Sequence, residues 1–339
     1  MTEKENLLKV YRGEIPEWLP RYSLAPPGAP GATKSRATVP VSPDFLGKKI
    51  VNGLEYDIWG VEHTATESAG GASLPTPGKF ILTDITKWRD VIKAPDISDV
   101  DWDAMSRKGT ELIDRNETVV ELMTHVGYFQ HLMEFMGFSE GLTAMFEEPE
   151  EVMALFEYLA DFYDEVFAKA VEYYKPDVMC ILDDTATAIN PFISLDMYRE
   201  MVKPYHERLA KIARDHGVLI NMHNCGRCED FIDDWLDMGI SIWNPAQTMN
   251  DLEGIKAKYG NKLTLVGCWD SSGPPAWPGA TEELVRSEVR KCIDTFAPGG
   301  GFVFWGSIYG PAGDPEVALK SGWLADEYEK YGREWYKNH

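Results

Sequence analysis

Residues 218–238, VLINMHNCGRCEDFIDDWLDM, contain the pattern that decides the fold. A mainly apolar run at 218–222 is followed at once by a histidine, an asparagine, a cysteine and a glycine, and then by a segment at 229–238 with helical periodicity. Near-continuous apolar runs are typical of parallel strands that are covered on both faces. The stretch therefore predicts a strand, a tight turn at the glycine, and a helix that packs back onto the sheet.

The same order of elements recurs from about residue 80 onward. Further strands are predicted at 119–123, 178–182, 240–243, 263–266 and 302–305, and a possible strand at 56–62. Helices are predicted at 142–174, 195–216, 251–258 and 281–296. The number of strands approaches eight, which favours a closed (β/α)8 TIM barrel over an open sheet.

The N-terminal part of the chain is less regular. A helix is predicted at 3–11, and the glycines and prolines that follow indicate an extended segment over 13–50. We therefore predict a single domain over 1–339 whose residues 1–50 form an N-terminal arm. A second Gly/Pro/Ser-rich stretch lies at 68–78, and long irregular segments of this kind often form lids or walls of a site. Long loops are expected over the carboxyl ends of the strands.

Charge and composition restrict the partners of the protein. Its 55 acidic and 33 basic residues give a formal net charge of −22, which repels nucleic acid and anionic membrane surfaces. No stretch approaches the roughly 20 apolar residues of a membrane span, and the first residues have no apolar signal core. We expect a cytoplasmic protein without nucleic-acid or membrane partners, whose five cysteines form no disulfide framework.

Ligand-type side chains follow several of the predicted strands. Active sites of parallel barrels lie at the carboxyl ends of the strands, so these positions are the first candidates for chemistry. His223 and Cys225 are two residues apart at a strand end, which lets both side chains project the same way. Imidazole and thiolate together suit zinc, and a catalytic zinc site usually has three protein ligands. Cys268 is our first candidate for the third ligand and Cys228 is the alternative; a buried core pair remains the competing interpretation.

Two carboxylates and a histidine are candidates for acid–base roles. Asp183 and Asp184 are consecutive on a strand and cannot point the same way, so at most one faces the centre while the other caps the following segment. We assign Asp184 to the centre, as a general base, a metal ligand or a partner of a metal-bound histidine. His125 is a second candidate because it also follows a predicted strand.

Aromatic residues cluster at the same strand ends. They predict an aromatic-walled pocket for the substrate, although tryptophan can equally fill space at the mouth of a barrel. The candidate substrate-binding residues are Trp243, Asn244, Trp269, Trp305 and Tyr309.

The sequence as a whole resembles the uroporphyrinogen decarboxylase superfamily, and within it the corrinoid-dependent methyltransferases. The matching segments lie in family order over nearly the whole chain: KEN at 4–6, RGE at 12–14, DD at 183–184, PY at 204–205, HNCG at 223–226, WNPAQ at 243–247 and LVGCWD at 265–270. Each is weak by itself, and together they are specific for the superfamily.

The resemblance implies a single (β/α)8 barrel in which the His-x-Cys pair binds zinc. In such methyltransferases a late cysteine completes the site, and here the corresponding position is Ser307. That departure makes a coenzyme M methyltransferase less favoured. It points to the first methyltransferase of an O-demethylase system, which passes a methyl group from a small donor, often an aromatic methyl ether, to the cobalt of a separate corrinoid protein. The rival within the fold, decarboxylation of a tetrapyrrole, is disfavoured because residues 20–27 lack the arginine cluster of such enzymes.

Overall fold

The computed structural model describes residues 1–22, 37–66, 72–124, 126–311 and 313–339. The strands are β1 (Thr38–Val41), β2 (Lys49–Val51), β3 (Leu54–Tyr56), β4 (Glu62–Thr66), β5 (Ala72–Pro75), β6 (Val119–Met123), β7 (Val178–Leu182), β8 (Leu219–His223), β9 (Ile242–Ala246), β10 (Thr264–Gly267) and β11 (Phe302–Phe304). The helices are α1 (Glu3–Tyr11), α2 (Trp88–Val91), α3 (Trp102–Thr110), α4 (Tyr128–Met136), α5 (Phe138–Glu147), α6 (Pro149–Tyr174), α7 (Leu195–Met197), α8 (Lys203–Asp215), α9 (Ile232–Asp237), α10 (Leu252–Tyr259), α11 (Glu282–Phe296), α12 (Pro315–Glu327) and α13 (Trp335–Asn338).

Seven parallel strands form the main sheet, in the order β1-β6-β7-β8-β9-β10-β11. The segment at Arg21 adds a parallel bridge to Phe304, at the edge of β11. Helices surround this sheet, which curls as in an α/β barrel. The predicted fold class is confirmed, with the eighth strand position occupied by this short bridge.

A second, antiparallel sheet has the order β2-β3-β4-β5. Its four strands come from residues that the sequence pattern left without a regular assignment, apart from the possible strand at 56–62. That strand prediction is wrong. Asp57 accepts hydrogen bonds from the backbone N–H groups of Trp59 and Val61, and this side-chain cap turns the chain between β3 and β4.

The N-terminal residues pack against the barrel and pair with its strands, which a separate arm would not do. Helix α1 begins with a capping box between Thr2 and Glu5, and its buried face closes one end of the sheet. Leu7, Val10 and Tyr11 pack there against inward-facing valines of the strands. Strand β1, also within the expected arm, pairs with β6.

The buried carboxyl group of Glu121 lies inside the barrel, between this apolar layer and the carboxyl ends of the strands. Glu121 of β6 accepts hydrogen bonds from Tyr22 Oη at 2.8 Å and from Asn221 Nδ2 at 2.6 Å. Burial raises the pKa of Glu121, and both hydrogen bonds oppose that shift. The network ties the segment at Tyr22 to β6 and β8.

Most of the remaining elements lie where the sequence pattern predicts them, and two of them differ in their bounds. The helix predicted at 142–174 is two helices, because Pro149 has no N–H to continue a helix and instead begins α6. The strand predicted at 240–243 is shifted to Ile242–Ala246. None of the helices within the described ranges is both long and apolar enough to cross a bilayer.

Replacing Leu7 by alanine should destabilise the protein by roughly 2–5 kcal/mol, because the substitution leaves a cavity under the strands. Leu7 is fully buried, whereas Leu112 is 91% exposed and provides the matched control. Denaturant unfolding should show Leu112→Ala within about 0.5 kcal/mol of the wild type. Equal effects of the two substitutions would mean that α1 does not pack as described.

Candidate metal centre

Three ligand-type side chains meet at the carboxyl ends of β7 and β8. Asp184, His223 and Cys225 each offer one ligand atom, and these atoms lie within 4.8 Å of one another. Parallel pairing of the two strands sets Leu182 opposite His223, so the residues that follow β7 lie beside those that end β8. Cys225 Sγ is 3.7 Å from His223 Nε2.

A neighbouring amide fixes the orientation of His223. Its Nδ1 lies 2.9 Å from Asn244 Oδ1, an oxygen that can only accept, so Nδ1 carries the proton and Nε2 keeps its lone pair on the side of Cys225. Burial lowers the pKa of His223, and the nearby Asp184 and the Asn244 hydrogen bond oppose that shift. The neutral imidazole that results is the form that binds metals.

The carboxylate and the thiol are held next to each other. Asp184 Oδ1 accepts the backbone N–H of Cys225 at 2.7 Å, and Gln130 Nε2 donates to Asp184 Oδ2 at 3.3 Å. Burial and the charge of Asp184 raise the pKa of the Cys225 thiol. A divalent cation would offset this mutual destabilisation of two anions. Imidazole, thiolate and carboxylate are all ligands that zinc accepts, so the donor set fits the metal that the sequence predicts.

The turn after β8 is possible only with glycine at position 226. Gly226 has φ 97°, and a Cβ there would lie 2.5 Å from the carbonyl oxygen of Ala186 and 2.6 Å from that of Thr187. Its N–H donates to Gln247 Oε1 at 2.7 Å. The close approach of the two loops brings Cys225 next to Asp184.

Asp183 points the opposite way from Asp184, as the alternation of strand residues predicts. It is fully buried and accepts the backbone N–H groups of Phe129 and Gln130, both at 3.1 Å. His206 Nε2 lies 3.0 Å from Asp183 Oδ2, the oxygen that also accepts the N–H of Phe129. Asp183 therefore caps a helix, but the predicted cap on the following segment is wrong, because the helix is α4, which precedes β7 in the chain.

The two cysteines that the sequence offered as a third ligand, Cys268 and Cys228, are not members of the group of three. Gly267 and Cys268 have φ of 131° and 57°, which breaks the alternation of β10. The Cys268 thiol is near Lys256 of α10 and Cys292 of α11, on the helix side of the sheet. The Cys228 thiol donates to the carbonyl oxygens of the preceding turn, at 3.1 Å for that of Cys225. Among the described residues, Asp184 is the one that joins His223 and Cys225.

Most of the aromatic residues predicted to bind substrate instead pack against other side chains or donate hydrogen bonds to the backbone. Trp243 is fully buried, its Nε1 donates to the backbone of Asn224, and its ring packs against Trp235 of α9. Trp269 Nε1 donates to the carbonyl oxygen of Ser307 at 2.6 Å.

The other three predicted residues differ in their surroundings. Trp305 packs edge-on against Tyr22, and Tyr309 is exposed. Asn244 is fully buried, and its Oδ1 is the hydrogen-bond partner of His223 Nδ1. His125 lies outside the described residues.

A cavity of about 550 Å³ adjoins the group of three at Asp184 and extends beneath the antiparallel sheet. Its aromatic wall comes from residues that the sequence pattern did not single out: Trp59, Phe80, Phe129, Phe138, Tyr163 and Phe192. The irregular stretch at 68–78 was the available signal, since Ser73, Leu74, Pro75 and Pro77 line the same cavity. Residues 72–78, the described part of that stretch, therefore contribute to the wall of the cavity.

The fold and the strand-end group define an α/β-barrel protein with a candidate metal site. Residues 106–307 match the family described as uroporphyrinogen decarboxylase, and this stretch is more than half of the chain. The protein therefore belongs to the uroporphyrinogen decarboxylase family. Among curated proteins, no sequence relative matches the chain.

Comparison with solved structures gives matches at low sequence identity, and the first of them shares the fold. A methyltransferase from Methanosarcina mazei is similar over 97% of this chain and 99% of its own, with a TM-score of 0.60 and 16% identity. SrfJ from Salmonella typhimurium covers 98% of this chain and 73% of its own, with a TM-score of 0.41 and 8% identity. A sugar phosphate isomerase/epimerase from Parabacteroides distasonis aligns with 70% of this chain and over 79% of its own, with a TM-score of 0.35 and 11% identity.

Metal analysis of three single variants tests the ligand set. Zinc bound by the purified protein should fall to background in His223→Ala, Cys225→Ala and Asp184→Asn, because each substitution removes one of the donors that a catalytic zinc site requires. Cys268→Ala is the matched cysteine control and should retain the metal. Loss of zinc in Cys268→Ala with retention in Asp184→Asn would instead support Cys268 as the third ligand.

The neighbouring aspartates should respond in opposite ways to substitution. Asp183→Ala leaves two helix N–H groups and a buried imidazole without their acceptor, so we expect about 3 kcal/mol or more of destabilisation. Asp184→Ala should change the free energy of unfolding of the metal-free protein far less. Chemical denaturation of both metal-free variants measures the difference, and equal losses would contradict the assigned orientations.

Proposed function

We propose that this protein is a zinc-dependent methyltransferase that moves a methyl group from a small donor, an aromatic methyl ether, to the cobalt of a separate corrinoid protein. The observation that carries the proposal is the group of Asp184, His223 and Cys225, within 4.8 Å of one another, beside a cavity with aromatic walls. Membership of the uroporphyrinogen decarboxylase family and a fold shared with a methyltransferase are consistent with it.

The cavity suits a ring-containing donor. Phe129 and Phe192 stack at 5.7 Å, and Phe138 meets Phe192 edge-on at 4.5 Å, so flat apolar surfaces line the space. A volume of about 550 Å³ falls in the range of small-molecule sites, which is roughly 300–1,000 Å³. Asp184 lies at the wall of this space, so a bound ring can place its ether group beside the group of three.

Cleavage of the ether has one main electrostatic requirement. The methyl carbon passes to the reduced cobalt of the acceptor protein, the C–O bond breaks, and the electron pair remains on the leaving oxygen as a phenoxide. A zinc ion held by His223, Cys225 and Asp184 would act as a Lewis acid that stabilises this charge.

The chain's own residues supply orientation and an apolar surface for the ring. Asn244 accepts a hydrogen bond from His223, Gln130 donates one to the Asp184 carboxylate, and aromatic side chains line the cavity. We assign to His125 the delivery of a proton to the phenoxide, since it comes two residues after β6 in the sequence and imidazole is a common general acid. The corrinoid protein docks over this edge, because its cobalt must reach the methyl carbon.

Decarboxylation of a polycarboxylated tetrapyrrole fits this cavity poorly. Such a substrate needs several cationic side chains to bind its carboxylates. Of the described residues that line the cavity, Lys48 is the one lysine and there is no arginine, whereas Asp57, Glu134 and Asp184 are all acidic. The balance of charge repels a polyanion.

A donor screen tests the proposal directly. The purified protein is mixed with a reduced corrinoid protein and with aromatic methyl ethers, methylamines or thioethers, and formation of methyl-cobalt is followed by absorbance. We expect turnover with the ethers and its loss in Cys225→Ala, with circular dichroism showing an unchanged fold. Absence of turnover with every ether would refute the proposed donor class.

Removal of the metal should abolish methyl transfer. Protein treated with a chelator should lose activity and regain it with added zinc, and a metal-free preparation with full activity would contradict the mechanism.

Asn244→Ala should weaken zinc binding by roughly 10–100-fold, since a partner that orients a ligating histidine contributes on that scale. A competition titration with a zinc-binding dye measures the change.

A further inference from the structure

Large apolar side chains are exposed in several loops at the carboxyl ends of the strands. They are Ile189 after β7, Met249 after β9, Trp277 after β10 and Tyr309 after β11. Trp277 is 59% exposed and Tyr309 is 63% exposed. Aromatic side chains of this size are usually buried for the most part, so two of them exposed in one region indicate a binding surface.

The two aromatic residues belong to one surface because their loops are hydrogen-bonded to each other. Trp277 Nε1 donates to the carbonyl oxygen of Ser272 at 3.1 Å, and the backbone N–H of Tyr309 donates to that of Ser271 at 2.9 Å. The hydroxyl oxygens of Ser271 and Ser307 lie 2.8 Å apart and join the same two loops. We refer to Trp277 and Tyr309 together as the aromatic rim.

A buried lysine fixes the backbone of the aromatic rim. Lys320 of α12 is 2% exposed, and its Nζ donates to the carbonyl oxygen of Trp277 at 2.6 Å and pairs with Glu316 Oε1 at 2.7 Å. The same Glu316 oxygen accepts the backbone N–H of Gly279 at 2.7 Å. Trp277 is therefore held in place while its ring faces solvent. An exposed side chain on a rigid loop loses little conformational entropy when it binds, which favours a docking role.

The aromatic rim and the donor cavity lie at different strands of the main sheet. The cavity residues Phe129 and Phe192 come after β6 and β7, the metal-binding group follows β7 and β8, and the rim follows β10 and β11. Partial burial raises the pKa of Tyr309, and the charge of Cys225 raises it further, so the two side chains lie within electrostatic range of each other. A protein bound at the rim is therefore close to the metal-binding group but does not occupy the cavity.

The loops around the aromatic rim are acidic. Arg227 is the one lysine or arginine in the loops that follow β7 to β11, and it is paired with Glu229 and with Asp230 at 3.2 Å. Those loops are residues 183–194, 224–228, 247–251, 268–281 and 305–314, and their aspartates include Asp184, Asp251, Asp270 and Asp314.

This combination of side chains defines the kind of partner. An apolar centre with a polar border is the usual anatomy of a protein interface, and tryptophan and tyrosine contribute most of the binding energy there. An acidic border is complementary to a partner whose own border is basic. A second copy of this chain would present the same acidic border, so the charge opposes self-association.

We propose that the aromatic rim is the docking surface for the corrinoid protein, which receives Trp277 and Tyr309 in an apolar recess bordered by lysine or arginine. The inference rests on the proposed function in taking a corrinoid protein as the methyl acceptor. Donor and acceptor then approach the metal-binding group from different strands, so the donor stays in its cavity while the acceptor protein binds and leaves.

Binding of the corrinoid protein used in the donor screen tests the surface without any methyl transfer. Measured by sedimentation velocity, the dissociation constant should rise roughly 30-fold or more in Trp277→Ala and roughly tenfold in Tyr309→Ala, the scale of aromatic residues that dominate an interface. Phe146→Ala is the matched control and should bind as the wild type does, because Phe146 is 68% exposed but lies on α5, outside these loops. Added salt should weaken binding to the wild type, because exposed charges are screened.

The choice of methyl acceptor separates docking from chemistry. With free reduced cobalamin as the acceptor, Trp277→Ala should transfer methyl groups at the wild-type rate. With the corrinoid protein as the acceptor, its KM should rise by the same factor as the dissociation constant. Circular dichroism of each variant checks that the fold is unchanged.

The inference is overturned if the wild type does not bind the corrinoid protein, or if Trp277→Ala and Tyr309→Ala bind it as tightly as the wild type. It is also overturned if the protein alone forms a dimer that Trp277→Ala abolishes. Failure of the proposed function is a different result. If no donor gives methyl transfer but binding of the corrinoid protein depends on Trp277, the docking surface stands and the assigned reaction does not.

Discussion

The buried Asp183 carboxylate is the interaction on which the site depends. It accepts two N–H groups from the start of α4 and lies 3.0 Å from His206 of α8, so it joins the end of β7 to two helices of the outer layer. Side chains alternate along a strand, so fixing Asp183 towards the helices fixes Asp184 towards the barrel centre. The same contact fixes the first turn of α4, which carries Gln130, the residue that contacts Asp184.

The group of three is assembled against its own electrostatics. Burial disfavours both the thiolate of Cys225 and the protonated form of His223, and the carboxylate beside them disfavours the thiolate further. The structure holds them together through backbone geometry, above all the close approach of Gly226 to the loop after β7. Preorganisation of this kind is expected where a cation compensates the cost of the arrangement.

The cavity and the candidate metal centre are drawn from opposite halves of the chain. Strands β7 and β8 provide the metal-binding groups, whereas the small antiparallel sheet and helices α4 to α6 provide most of the wall. Gln130 of α4 lies in this wall and also contacts Asp184, so it connects the cavity to the group of three.

Local sequence determined the βα pattern, the strand-end positions of Asp184, His223 and Cys225, and the opposite directions of the two aspartates, because each depends on periodicity within one element. Tertiary structure alone decided that Asp184 joins the pair, that Cys268 turns to the helix side, and that Trp243 packs against Trp235. Those outcomes depend on backbone torsions at Gly267 and Cys268 and on strand register, which the apolar pattern does not encode. The sequence pattern also did not indicate the cavity wall, since Trp59, Phe129 and Phe192 are far apart in sequence and line one cavity only in the folded structure.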